Sequence, residues 1–271
     1  MADRYKELKN YLKELNSVAV AYSGGVDSTL LLFATAEALD GRVLALTADT
    51  GSVPDRELIS AKEYCGYLGV KHRVVTTHVL ELSELSGNPR ERCYICKKHI
   101  YSKFLAAASE EGYKRLAEGS NADDFNTYRP GLRALKELGI ISPYMELGIT
   151  REEIEDMSKE LNLPTFDKPS FACLFTRFPY GEEITEPKLI RVDKAEQVLL
   201  DMGFRQLRVR SHGDIARIEL MPEDMEYFMK DDVRSSVYEN FRRLGYTYVT
   251  LDILGFRSGS MDEGGAIIPE V

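Results

Sequence analysis

The string Tyr22-Ser23-Gly24-Gly25-Val26-Asp27-Ser28 follows the unbroken apolar run Val18-Ala19-Val20-Ala21 and precedes a Leu- and Ala-rich stretch ending at Leu39. The apolar run reads as a strand buried on both faces, and the stretch from Ser28 to Leu39 as a helix. Two glycines at a strand-to-helix turn let backbone N–H groups converge on an anion, and the helix N-terminus adds its dipole. Ser23 and Ser28 contribute hydroxyl donors. The turn lacks the Lys-Ser/Thr pair of a Walker A loop, so it has no cation of its own. Asp27 beside a polyphosphate makes sense where Mg²⁺ bridges the two, because unshielded anions repel. The competing reading, a Ser-Gly-Gly turn met by chance, does not account for the strand-to-helix setting.

The rest of the first half repeats the alternation. Residues 4–15 carry Tyr5, Leu8, Leu12 and Leu15 at helical spacing, and Gly41 closes the helix after the loop. Arg42 to Thr47 reads as a second strand, Pro54 to Leu68 as a helix, and Lys71 to Thr76 as a third strand. Residues 97–111 read as a helix, and Arg115 to Glu118 as a strand leading into Gly119-Ser120-Asn121. Such alternation predicts an α/β fold, a doubly wound parallel sheet covered on both faces with ligands at the carboxyl ends of its strands. Thr150 followed by Glu153 has capping-box spacing, so a helix runs from there to Leu161 before Pro164 stops it.

Residues 1–166 therefore form a first domain. Residues 167–181 read as an irregular connection holding Pro169, Cys173, Pro179 and Gly181. Beyond it, Pro187–Met202 is helical, Gln206–Arg210 and Ile215–Leu220 alternate as strands, Pro222–Leu244 is mostly helical and Tyr246–Leu254 is a strand. Residues 167–271 are expected to be a second, smaller α+β domain.

A composition of 44% hydrophobic and 29% charged residues is globular, and the net charge of -9 opposes non-specific binding to nucleic acid. A small molecule is the expected partner. Met1 to Lys6 is polar, without the apolar core of a signal peptide, and no apolar run approaches membrane-spanning length, so a cytoplasmic location is expected. Four cysteines are too few for a disulfide scaffold and point to metal or catalysis. His72, His78, His99 and His212 show no triad or metal spacing.

At Ser23 to Ser28 the chain resembles the PP-loop ATP pyrophosphatases, a superfamily that includes GMP synthetase, NAD synthetase and tRNA thiolation enzymes. Further segments narrow the likeness: Asn88 to Lys97, Glu118 to Asp124 with Tyr128 to Gly131, Lys168 to Leu174 with Arg177 to Gly181, and Gly255 to Ser260. Together they resemble the LarE sulfur transferases of nickel-pincer cofactor synthesis, over nearly the whole chain. The resemblance implies that ATP is cleaved to AMP and pyrophosphate while carboxylates of a pyridinium dicarboxylate mononucleotide are adenylated and become thiocarboxylates. It makes the first domain a PP-loop ATP pyrophosphatase domain and the second the substrate and sulfur-transfer domain. It implies nucleotide contacts at Ser23, Gly24, Gly25, Asp27, Ser28 and Ala48, and self-association as a homo-oligomer; Asp124 and Arg129, with Asp123 past the end of the strand and so at the ligand edge, are expected to contact nucleotide or substrate.

For the sulfur chemistry, Cys173 lies in the connecting loop with Lys168 and Arg177 near it in sequence, a setting that favours the reactive thiolate. A buried structural cysteine is the plain alternative. Cys65 shares helical spacing with Leu58, Ala61 and Leu68 and reads as core. Cys93 and Cys96 have metal-ligand spacing, and with Cys173 make the three thiolates of a [4Fe–4S] cluster with one open iron. The resemblance leaves two kinds of LarE open, the cluster kind and one in which a lone cysteine gives up its own sulfur; zinc or plain thiols also stay open. Arg208 and Arg210 lie two apart on a strand and form a fork suited to a substrate phosphate, and Arg217 and Glu219 share a face likewise. Solvated strand faces are the alternative. Glu196 is a substrate or metal contact by resemblance alone. A tRNA-thiolating enzyme remains the competing function, which the acidic balance disfavours.

Overall fold

The computed structural model describes residues 2–51, 55–126, 130–168, 173–257 and 259–261. In chain order its main elements are α1 (Ala2–Glu14), β1 (Val18–Ala21), α2 (Val26–Leu39), β2 (Val43–Asp49), α3 (Asp55–Tyr67), β3 (Lys71–Thr76), α4 (Ser83–Ser86), α5 (Arg92–Glu110), β4 (Leu116–Ala117), α6 (Pro130–Glu137), α7 (Pro143–Leu147), α8 (Arg151–Glu160), α9 (Glu186–Asp201), β5 (Leu207–His212), β6 (Ile215–Leu220), α10 (Met225–Phe228), α11 (Asp231–Arg243) and β7 (Tyr248–Leu251). The chain divides into two units, one of residues 1–85 and 90–168, the other of residues 86–89 and 169–271.

In the first unit a parallel sheet has the order β3-β2-β1-β4. Side chains of β1 alternate between two cores, as period two requires. Val18, Val20 and Tyr22 join Leu30, Leu31, Ala61 and Tyr64 of α2 and α3, with Leu8 and Leu12 of α1. Ala19 and Ala21 join Phe104, Ala107 and Ala108 of α5. Helices α2 and α3 therefore cover one face and α5 the other, so the winding reverses between β1 and β4. That switch point is where an open α/β sheet holds its ligand. The expected doubly wound α/β fold is present.

Two details differ from the sequence reading. Helix α5 begins at Arg92 and so takes in Cys93 and Cys96, and residues 130–137 and 143–147 are helical where no element was expected. The capping box at α8 is complete: the Glu153 N–H donates to Thr150 Oγ1 at 3.3 Å and the Thr150 N–H donates to Glu153 Oε2 at 2.9 Å.

The second unit is a small mixed sheet of order β5-β6-β7, with β5 antiparallel and β7 parallel to β6. Helix α9 and a 3-10 turn over Leu174–Arg177 both pack on β5. This is why β5 does not alternate: Leu207 to Ser211 are all buried. Residues 86–89 belong to this unit because Asn88, fully buried, donates from Nδ2 to the carbonyls of Phe178 and Pro179 at 3.1 and 2.8 Å. No helix among the described residues is long and apolar enough to cross a membrane.

Candidate active site

The phosphate-type loop closes over the N-terminus of α2. Gly24 adopts φ +73, the left-handed region that glycine enters without steric cost. Ser28 ties the loop: its Oγ donates to the Gly25 carbonyl at 3.1 Å and accepts from the Ser23 N–H at 3.3 Å, with Ser23 Oγ 3.1 Å away. Gly25 is the N-cap of α2 and offers no side-chain oxygen, so no side-chain cap occupies the helix N-terminus.

Asp27 is the loop's acid, and the chain surrounds it with donors. Asn121 Nδ2 donates to Oδ1 at 3.3 Å, Arg151 Nη1 binds Oδ2, and the Tyr144 hydroxyl donates to the Asp27 carbonyl at 2.9 Å. Burial pushes the Asp27 carboxyl above its ordinary range, with Arg151 and then Asn121 opposing that rise. Arg151 also donates from Nε to Glu155 at 2.6 Å, and its N–H donates to Asp123 Oδ2 at 2.8 Å. Gly119, just past β4, is so close beneath the loop that a Cβ there would lie 3.3 Å from the Asp27 main chain and the Ser28 nitrogen.

Of the other expected nucleotide contacts, Ala48 is half-buried near the end of β2 and packs on the α5 side of the sheet. Asp124 is buried and accepts the Asn121 N–H at 3.2 Å, shaping the turn after β4. Arg129 lies outside the described residues. Arg151, Asn121, Tyr144 and Gly119 were not singled out from the sequence. The only pointers to them were the capping box that starts α8 and the Gly-Ser-Asn string after β4.

Lys168 is engaged with the loop. Its Nζ donates to the Gly24 carbonyl at 3.0 Å and pairs with Glu57 Oε2 at 2.6 Å. The loop without a Walker lysine therefore has cations supplied from distant sequence, Lys168 at one side and Arg151 at the other. Lys168 thus has Glu57 as its carboxylate partner, and Arg177 has Glu196 while its Nη1 stands 3.5 Å from the Cys173 carbonyl.

In the second unit Cys173 is exposed and leads into the 3-10 turn. Its carbonyl accepts the Thr176 N–H at 3.0 Å and the Thr176 hydroxyl at 2.8 Å. Arg177 and Glu196, each 1% exposed at the side chain, form a forked pair at 2.7 and 2.9 Å. Arg210 binds Glu219 through two nitrogens at 3.0 and 2.8 Å and donates to the Thr176 carbonyl at 3.0 Å. Glu219 also accepts the Ser260 hydroxyl at 2.6 Å. Burial, then the neighbouring Arg177, lowers the Arg208 guanidinium to about 10. Its guanidinium lies 5.0 Å over the Phe256 ring. Arg208, Arg210, Glu196 and Glu219 are thus brought together, but in a buried charge lattice, not on an open strand face.

Cys65 is fully buried and its thiol is pushed up to about 12 by that burial, which suits the expected core role. Cys93, exposed, and Cys96, half-buried, stand one turn apart at the start of α5. Among the described residues no three His, Cys, Asp or Glu side chains converge to hold a metal.

Residues 17–106 match the family model described as queuosine biosynthesis protein QueC. The chain is 39% identical over 262 residues to an uncharacterized protein of Synechocystis sp., covering 97% of this chain and 98% of that one. It is 35% identical over 265 residues to the pyridinium-3,5-bisthiocarboxylic acid mononucleotide synthase of Lactiplantibacillus plantarum, with 97% of this chain and 95% of that protein aligned. An uncharacterized protein of Methanocaldococcus jannaschii is 29% identical over 255 residues, with 93% of this chain and 96% of that one covered.

Proposed function

Because the chain belongs to the LarE family of PP-loop, ATP-dependent sulfurtransferases, we propose that it adenylates the carboxylates of a pyridinium dicarboxylate mononucleotide and converts them to thiocarboxylates. A carboxylate oxygen attacks the α-phosphorus of ATP, the bond to the β-phosphate breaks and pyrophosphate leaves. Sulfur then attacks the acyl carbon and AMP departs. The observation that carries the first half is the loop at the switch point, with an uncapped helix N-terminus and a desolvated Asp27 ringed by donors.

In this reading the loop's N–H groups and the Ser23 hydroxyl bind the polyphosphate, and Asp27 holds Mg²⁺. Bound there, Mg²⁺ would shield the phosphates and the developing charge on pyrophosphate. Asp27 suits a cation because burial disfavours its bare charge. Arg151, on the Asp27 carboxylate and held by Glu155, is the chain's own cation for the polyphosphate.

For the second half, Arg208 and Arg210, both buried and two apart on β5, are the fork for the substrate phosphate. Cys173 is the sulfur-handling thiol, supported by its exposure. Cys93 and Cys96, one turn apart at the start of α5, are with Cys173 the ligands of a [4Fe–4S] cluster, supported by their metal-ligand spacing. Such a cluster would offer an open iron that carries the sulfide to be transferred. Cys173 giving up its own sulfur is the second reading, favoured by its exposure.

The test is Mg·ATP turnover in anaerobic solution. AMP and pyrophosphate are expected with the pyridinium dicarboxylate mononucleotide; AMP with tRNA and none with the mononucleotide would overturn the reading.

A further inference from the structure

The 3-10 turn after Cys173 is held by more polar contacts than a surface turn needs. Thr176 is at the centre. Its hydroxyl donates to the Cys173 carbonyl at 2.8 Å and accepts from Arg177 Nη1 at 2.8 Å, while Arg210 Nη1 donates to its carbonyl at 3.0 Å. Arg177 Nη1 also points at the Cys173 carbonyl, 3.5 Å away. Arg177 is in turn forked onto Glu196, and Glu196 Oε1 accepts the Val209 N–H of β5 at 3.0 Å. A continuous path therefore runs from a strand of the sheet to the main chain of one exposed cysteine.

Desolvating two ionic groups is costly, and a buried pair repays that cost only with well-made geometry and further hydrogen bonds. Here the further bonds end on the cysteine's turn. We propose that Glu196, Arg177 and Thr176 form a positioning relay for Cys173: the ion pair fixes the Thr176 hydroxyl, and the hydroxyl fixes the carbonyl from which the thiol's direction follows. Glu196 and Arg177 act through Thr176 and touch neither substrate nor sulfur. The proposal rests on Cys173 being the sulfur-handling residue. It reassigns Glu196 from substrate contact to support, and it adds Thr176, which no sequence motif marked.

Thr176→Val removes the hydroxyl at almost constant volume, and Thr176→Ser keeps it without the methyl. Both leave the buried ion pair intact, so folding is preserved. Single-turnover sulfur transfer to the pyridinium nucleotide is expected to fall about tenfold or more in Thr176→Val, the scale of a lost orienting hydrogen bond at a reacting centre. AMP formation from the same mixture is expected to stay unchanged, and Thr176→Ser to recover transfer to within about twofold. A thermal shift alone, with both half-reactions scaling together, would mean a merely structural role and overturn the relay, as would full transfer by Thr176→Val. Cys173→Ala separates the premise: transfer that survives it sinks the role of Cys173, whereas transfer lost in Cys173→Ala but kept in Thr176→Val sinks the relay alone.

Discussion

The guanidinium of Arg151, the first residue of α8, binds the carboxylate of Asp27 in the phosphate loop, joining residues 124 positions apart. The pair places a cation where Mg²⁺ and polyphosphate are proposed to sit. Arg151→Ala is expected to lower kcat/KM for ATP about 10- to 100-fold, the range for one charged group at a developing phosphate charge. Arg151→Lys should recover part of this, since lysine keeps the charge and loses the fork. Pyrophosphate release at limiting and saturating ATP measures both.

Asp27 itself is a liability in the ligand-free chain. Burial raises its pKa, and a carboxyl so raised favours folding where it is protonated, below its unfolded pKa. That contribution is lost as pH rises through the folded value. Asp27→Asn is therefore expected to melt at or above the parent at neutral pH, the difference closing as pH falls into the carboxylate range, with AMP formation abolished. Melting curves across that pH range check the sign; a lower melting temperature at neutral pH contradicts it.

Gly119 is a matter of space. A methyl group 3.3 Å from the Asp27 main chain must push the loop after β4 away from the phosphate loop. Gly119→Ala is expected to cost about 1–3 kcal/mol, as overpacking does, and to raise KM for ATP. Denaturant unfolding with an ATP titration tests the pairing of the two effects.

The Arg177–Glu196 pair predicts a pH-dependent penalty. Burial alone pushes the Glu196 carboxyl up, but Arg177, Arg208 and the Val209 N–H more than reverse it, so its pKa is lowered. Its stabilisation is therefore present above the unfolded carboxylate pKa and fades as pH falls through the folded value. Glu196→Gln should destabilise most at neutral pH and least in acid. Arg177→Ala, which leaves the buried carboxylate unpaired, should cost about 3–5 kcal/mol at neutral pH. Urea unfolding at two pH values separates these.

The sheet, the loop and the core role of Cys65 were legible in the sequence because each is a local pattern: an apolar run, a glycine pair, a helical spacing. Arg151 was legible only as a helix start, since a capping box says nothing of what the first helical side chain meets on a neighbouring helix. Arg208 and Arg210 read as one open face because strand period two assigns faces without saying what covers them; α9 and the 3-10 turn cover β5 together. Helix α5 begins five residues before the expected start, since Arg92 to Lys97 mixes charges and cysteines and has no apolar stripe to reveal a turn. Lys168 was read by its nearness in sequence to Cys173, and its contacts with Glu57 and Gly24, 111 and 144 positions away, carry no sequence signal.

The central claim, that adenylation at the loop feeds sulfur transfer through Cys173, is tested most directly by one anaerobic single-turnover experiment. Protein, Mg·ATP and the pyridinium dicarboxylate mononucleotide are mixed, and the nucleotide and the intact protein are weighed by mass spectrometry. The account predicts an oxygen-to-sulfur exchange in the nucleotide matched by one AMP per sulfur and absent in Cys173→Ala. Thiocarboxylate formed by Cys173→Ala, or formed without AMP, would contradict it.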